Sequence, residues 1–197
     1  NPRGIIFSGG PSSVYDKGAP SFKKEILDLG IPVLGICYGM QLVGKLAGGK
    51  ITKSGKREYG STAVKFDRRN PLFKGMKPSS VTWMSHRDKV SRLPKGFTPI
   101  AKSENTACAA FANKEKNIFG VQFHPEVDPD VGGQCPDVLQ VGAVVLPLSG
   151  LVELVRDGER RTAGFRAFPD NVGDLHRLVS AFQVLGVNMK VISRTRY

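Results

Sequence analysis

A short apolar run that ends in a cysteine bracketed by glycines constrains this chain more than any other feature: Val33-Leu34-Gly35-Ile36-Cys37-Tyr38-Gly39-Met40-Gln41. Val33, Leu34 and Ile36 are strand formers in a continuous apolar stretch, as expected of a buried parallel strand. A further apolar run begins at once, and its spacing predicts a helix over residues 38–47 that Gly48 and Gly49 close. A cysteine between such a strand and such a helix sits on a tight turn, where small neighbours let backbone approach backbone. The helix would aim free N–H groups and its positive dipole end at the sulfur, which favours the thiolate. A free cysteine is more often a plain core residue. The glycine bracket makes Cys37 a candidate nucleophile instead, with the Tyr38 N–H as an oxyanion donor.

Gln122-Phe123-His124-Pro125-Glu126 offers the partners. In an extended segment residues two apart point to the same side, and the proline between them holds that geometry. His124 could take the Cys37 proton, and Glu126 could fix the imidazole tautomer. A histidine and a glutamate where a loop begins are usually surface residues, so this run is weak alone. With the cysteine turn it completes a Cys-His-Glu set.

These residues resemble the class I (triad) glutamine amidotransferases, and more narrowly the amidotransferase domain of the GMP synthases. Three stretches carry the narrower match. They are Gly4-Ile-Ile-Phe-Ser8-Gly-Gly-Pro11-Ser-Ser-Val-Tyr15, then Trp83-Met-Ser85-His86-Arg87-Asp88-Lys-Val90 with Leu93-Pro-Lys-Gly-Phe97, and Ile118-Phe-Gly-Val-Gln-Phe-His124-Pro-Glu-Val127. The resemblance covers about residues 1–128. It implies an α/β fold, a flavodoxin-like mixed and mostly parallel sheet, incomplete at the N-terminus. It also implies that Cys37 attacks the side-chain amide of L-glutamine and forms a glutamyl thioester. His124 then delivers a proton to departing ammonia and Glu126 orients it. Gly9 or Gly10 would give a second oxyanion N–H beside that of Tyr38, and Gln41, His86 and Asp88 would hold the substrate.

The family role is to supply ammonia for amination of XMP to GMP, a cytoplasmic ligase reaction of purine biosynthesis. The partner is a synthetase (ATP pyrophosphatase) domain or subunit, where Mg-ATP would bind. No cofactor and no metal is expected in this chain. One residue departs from the pattern: Arg87 stands where the family usually has glycine, so strain in a turn, or a cation at the substrate edge, is expected there.

Composition adds boundaries. No apolar stretch is long enough for a membrane span, and the three cysteines, 37, 108 and 135, fit no metal spacing. A reduced cytosolic setting fits their odd number. Net charge is +12, and residues 1–129 hold 21 Lys and Arg against 10 Asp and Glu, so the excess lies on the amidotransferase-like part. The lysines are scattered, without a basic helix or interleaved aromatics, and nucleic-acid binding finds little support. A basic face toward an acidic or nucleotide-binding partner fits equally well.

Early alternation predicts strands over 4–8 and 32–36 with a helix over 20–29 between them, which argues a parallel sheet. Later strands are expected near 50–52, 60–66, 81–84, 97–103, 107–112 and 118–123, as antiparallel additions. The family places a strand and a helix ahead of Gly4, and without that strand the sheet would expose an unpaired edge.

Residues 129–197 do not match the family after Val127 and read as an atypical tail, a remnant of an ATP pyrophosphatase domain. Leu146-Pro-Leu-Ser149-Gly150 lacks the second glycine and the aspartate of a pyrophosphate loop. A helix is expected over 174–185 and a strand over 186–192. Two competing readings stand beside the first. One is another class I amidotransferase or a glutamyl hydrolase, and the other is a non-catalytic fragment that keeps the triad residues.

Overall fold

The computed structural model describes residues 2–125, 127, 143–147, 153–156 and 159–162. The expected helix over 174–185, the strand over 186–192, Cys135 and Glu126 lie outside the described residues. One mixed sheet organises the fold. Its centre is β1 (Pro2–Phe7) beside β2 (Val33–Ile36), with β7 (Ile118–Val121) on the other side of β2, and both pairings are parallel. From β7 the sheet continues antiparallel through β6 (Ala110–Asn113), β5 (Thr98–Lys102), β3 (Lys50–Phe66) and β4 (Ser79–Arg92).

Parallel pairing is therefore confined, among the described residues, to the centre that carries the cysteine turn. Antiparallel pairs outnumber it. The reason is chain order: β3 and β4, and again β5, β6 and β7, follow one another by short returns, which only antiparallel neighbours permit.

Alternation along the central strands sends side chains to two cores. Ile6, Leu34, Phe119 and Val121 join Phe66, Phe73, Met84 and Phe123 on one face. Ile5, Phe7, Val33 and Ile118 face the other way and pack with Met40, Leu42 and Val43. Those last three belong to α1 (Tyr38–Leu46), which lies on the sheet and is buried from Tyr38 to Gly44.

Two local expectations change. The helix over 20–29 shrinks to a single 3-10 turn at Lys24–Asp28. Phe22 stacks on Phe7 with ring centroids 3.8 Å apart, and the Pro20 carbonyl accepts from the Tyr38 hydroxyl, so the preceding residues stay extended. The short strands near 50–52 and 60–66 merge into the 17-residue β3, because its pairing with β4 runs from Lys50 to Lys65 across an irregularity between Lys53 and Glu58.

The open edge expected at β1 is covered. β8 (Ala143–Pro147) pairs antiparallel with β1, with Ile5 opposite Val145 and Ile6 opposite Val144. β9 (Glu153–Arg156) and β10 (Glu159–Thr162) extend the sheet beyond it. Leu146 thus lies in a strand of the tail, opposite Gly4. Among the described residues no helix is long and apolar enough to cross a membrane, and no group of His, Cys, Asp and Glu is placed to hold a metal ion.

Candidate active site

Cys37 occupies the turn between β2 and α1 with φ 50° and ψ −105°. This is a costly conformation for a residue with a Cβ, and such strain persists only where the surroundings fix it. Here the fixing is by main chain. The Cys37 N–H donates to the Val121 carbonyl at 2.8 Å, and the Gly39 N–H donates to the Ser8 carbonyl at 3.1 Å.

The two bracketing glycines are required by close approach. A Cβ on Gly39 would meet the Phe7 carbonyl oxygen at 2.1 Å, and one on Gly35 would meet the Gly39 carbonyl group at 2.6 Å. The helix start is therefore pressed against the end of β1, and no side chain fits between. Cys37 is the N-cap of α1 and Tyr38 its first residue, whose N–H has no acceptor within the helix. The positive end of the helix dipole faces the sulfur side of the turn.

His124 reaches the same place from the far end of β7. Its N–H donates to the Trp83 carbonyl at 2.8 Å, an antiparallel bridge to β4. Gly9 marks the meeting point: a Cβ there would stand 2.8 Å from His124 Cε1 and 3.6 Å from Cys37 Cβ. The imidazole and the cysteine thus flank one glycine of the loop after β1. Gly10 is one step out and exposed, and a Cβ there would first meet the Tyr38 ring, at 3.7 Å. Glu126, expected to orient His124, lies outside the described residues.

β4 forms the remaining wall. The Ser85 carbonyl accepts from the Cys37 thiol at 3.5 Å. Its inward residues His86 and Asp88 are buried, at 4% and 5% exposure, so Asp88 is no solvated loop charge. Asp88 Oδ2 accepts from the Ser13 hydroxyl at 2.5 Å, while Asp88 Oδ1 is buried without a hydrogen-bond partner. Gln41, on α1, donates from Nε2 to the Asp88 carbonyl at 2.9 Å and to Gln122 Oε1 at 3.3 Å.

His86 Nδ1 lies 3.0 Å from that same Asp88 carbonyl. Its Nε2 is 3.0 Å from Glu58 Oε2, at ion-pair distance but without the alignment of a straight hydrogen bond. Burial pulls the His86 pKa below its ordinary value. The Glu58 carboxylate opposes that pull by favouring the cation, and charge on nearby His124 adds to it.

Arg87 is an exposed strand residue of β4. Positive φ occurs at only two described non-glycine residues, Cys37 and Asn117, so no strained turn exists at Arg87. Alternation sends its side chain away from the face that His86 and Asp88 share. The expected cation at the substrate edge is not placed there.

The structure brings Cys37, Tyr38, Gly9 and His124 together, and sets Gln41, His86 and Asp88 in one hydrogen-bonded group beside them. Sequence reasoning did not single out Ser13, Glu58 or Gln122. Ser13 lies within a run whose resemblance was plain. Glu58 carried no signal, because its importance depends on a strand pairing that sets it opposite His86.

The chain is similar to known proteins over this part of its length. Residues 1–136 match the family model "Glutamine amidotransferase class-I". A GMP synthase [glutamine-hydrolyzing] of Caldicellulosiruptor saccharolyticus is 55% identical over 127 residues, 64% of this chain and 25% of that protein. One of Treponema denticola is 57% identical over 133 residues, 68% of this chain and 25% of the other. The chain thus spans about a quarter of the length of the curated relatives it matches.

Among solved structures, a glutamine amidotransferase of Thermotoga maritima superposes with a TM-score of 0.55 at 25% identity, over 62% of this chain and 56% of that one. A protein of Thermoplasma acidophilum, described as a candidate GMP synthase subunit, gives 0.51 at 34% identity, over 54% and 53% of the two chains.

Proposed function

Because the chain belongs to the class-I glutamine amidotransferase family, we propose that its pocket hydrolyses the side-chain amide of L-glutamine and releases ammonia. The observation that carries this reading is the placement of Cys37 on a positive-φ turn with the His124 ring beside it across Gly9.

The chemistry follows from those positions. The Cys37 thiolate adds to the amide carbon, and the developing oxyanion takes hydrogen bonds from the N–H group of Tyr38 and that of Gly9 or Gly10. Collapse breaks the C–N bond, and His124 gives its proton to the departing ammonia, leaving a glutamyl thioester. A water deprotonated by His124 then attacks the thioester, which frees glutamate and restores the thiol. Glu126 holds the imidazole in the required tautomer.

Asp88 supports the choice of substrate. A bound amino acid brings an ammonium group that needs a fixed anionic partner, and Asp88 Oδ1 is a buried carboxylate oxygen with no partner of its own. Gln41 is tied to the same strand and would hold the substrate beside Asp88.

The released ammonia would serve amination of XMP to GMP on a synthetase (ATP pyrophosphatase) domain or subunit, which would bind Mg-ATP, in the cytoplasm. Identity of 53–57% to GMP synthases supports this acceptor over that of another amidotransferase. The test is ammonia release from glutamine by the chain alone. Cys37→Ser and His124→Ala should each lower kcat by about a thousandfold or more while the fold persists. Unchanged turnover in either variant contradicts the assignment.

A further inference from the structure

We propose that Glu58 is a positioning residue for the glutamine site: acting through His86, it fixes the β4 main chain at Asp88 and thereby the group that holds the substrate's amino-acid end. The proposal rests on the reading that this pocket takes glutamine.

The structural basis is a continuous buried chain of contacts. Glu58, on β3, is 4% exposed. Its Oε1 accepts from the Ser103 hydroxyl at 2.8 Å and from Asn105 Nδ2 at 3.3 Å, which anchors the carboxylate to the turn after β5. Its Oε2 lies 3.0 Å from His86 Nε2. His86 Nδ1 lies 3.0 Å from the Asp88 carbonyl, and that carbonyl also accepts from Gln41 Nε2 at 2.9 Å. Gln41 in turn reaches Gln122, at the end of β7, at 3.3 Å.

This arrangement gives His86 a role other than substrate contact. Nδ1 is bonded to the Asp88 carbonyl, Nε2 lies 3.0 Å from Glu58 Oε2 without a hydrogen bond, and the side chain is 2% exposed. The carbonyl can only accept, so Nδ1 carries a proton, and the ring bridges Glu58 to the Asp88 main chain.

A rigid bridge is needed here. β4 is the outermost strand on its side of the described sheet, and its pairing with β3 is interrupted opposite Arg87, between Lys53 and Glu58. Main-chain hydrogen bonds therefore do not hold the strand continuously where Asp88 must be placed. The Glu58–His86 pair stands at one margin of that interruption, and the His86 ring reaches across it to the Asp88 carbonyl on the other. A buried, hydrogen-bonded polar group of this kind costs desolvation and returns a unique geometry.

The test uses the full chain and two variants. Glu58→Ala removes the support, and should raise the glutamine KM by roughly tenfold while kcat falls less than about threefold. Glu58→Gln keeps the shape, and its amide can donate to Nε2 of the Nδ1-protonated ring, so it should bring KM back to within about threefold of the parent. The second measurement needs no turnover. In 15N-labelled protein the Gln41 side-chain amide resonances should move in Glu58→Ala and stay near their parent positions in Glu58→Gln.

A folded Glu58→Ala chain with unmoved Gln41 resonances overturns the proposal. So does a loss of kcat at unchanged KM, which is what a smaller folded fraction would give. If Glu58→Ala does not fold, Glu58→Gln decides: shifted Gln41 resonances together with a KM as high as tenfold above the parent contradict the bridge. A parent chain that releases no ammonia, yet shows the Gln41 response, refutes the glutaminase reading and leaves the bridge standing.

Discussion

The Ser13 hydroxyl donates to Asp88 Oδ2 at 2.5 Å, and so ties the glycine loop after β1 to the strand that passes Cys37. The two residues are 75 positions apart in sequence. Without this bond the loop that carries Gly9 has less to hold it against the pocket. Ser13→Ala removes one of the few partners of a buried carboxylate. The loss should cost about 1–3 kcal/mol of stability, read as a lower urea midpoint at unchanged m-value. An unaltered midpoint would mean that the loop is held by other contacts, such as the Lys45 ammonium on the Val14 carbonyl.

Gly39 and Gly9 make opposite predictions although both meet neighbours too closely for a Cβ. At Gly39 the obstacle is the Phe7 main chain at 2.1 Å, which cannot yield without breaking β1 from α1. Gly39→Ala should therefore leave no cooperative thermal transition. At Gly9 the obstacle is His124 Cε1 at 2.8 Å, an atom of a side chain that can turn. Gly9→Ala should melt near the parent temperature and lose ammonia release by about a hundredfold, because the imidazole is displaced from Cys37.

Cys108 is the internal control for cysteine reactivity. It is buried in the core against Phe111 and its neighbours, and burial pushes its thiol up to about 12. At pH 8 only about one molecule in ten thousand would carry that thiolate. Alkylation of the folded chain by iodoacetamide should spare Cys108, and peptide mapping should recover it unmodified until denaturant is added. Its modification in the native chain would show that this core opens readily.

The pH dependence of stability has a definite sign. His86 is held below its ordinary 6.5 chiefly by burial, so between 6.5 and its folded value the unfolded chain binds a proton that the folded chain does not. Stability should be fully present above 6.5 and decline as the pH falls below it. Asp28 and Asp67 are held below 3.8, each first by its hydrogen bond, to Lys116 and Arg69, and add a further loss as pH falls below that value. Denaturant midpoints at pH 7.5, 6 and 5 test the first window. In His86→Gln the decline between 7.5 and 5 should flatten.

The parts of the site that were legible in the sequence are those built locally. Gly35, Cys37 and Gly39 sit within five residues, and the turn they form is dictated by contacts among themselves and the end of β1. His124 was legible because a strand ends just before it. What could not be seen is set by pairing across the sheet. Glu58 and His86 face each other only because β3 and β4 align as they do, with an irregularity between Lys53 and Glu58.

The same pairing explains why two expected short strands became one long β3. Gly60, with φ +95°, sits inside that strand, where the sequence places the start of a separate one. Arg87 was misjudged for a related reason: a turn was expected where β4 continues extended. The edge of β1 shows the limit in the other direction. The strand that covers it, Ala143–Pro147, lies in a stretch with no family pattern to guide its placement.

The glutaminase reading requires Cys37 to be an assembled nucleophile in a glutamine pocket. Its most direct test is covalent labelling of the full chain with a glutamine-like diazoketone, mapped by mass spectrometry across Cys37, Cys108 and Cys135. One adduct is expected, at Cys37, suppressed by free glutamine and absent after Cys37→Ser. Equal labelling of the three cysteines, or a Cys37 adduct that glutamine does not suppress, would contradict it.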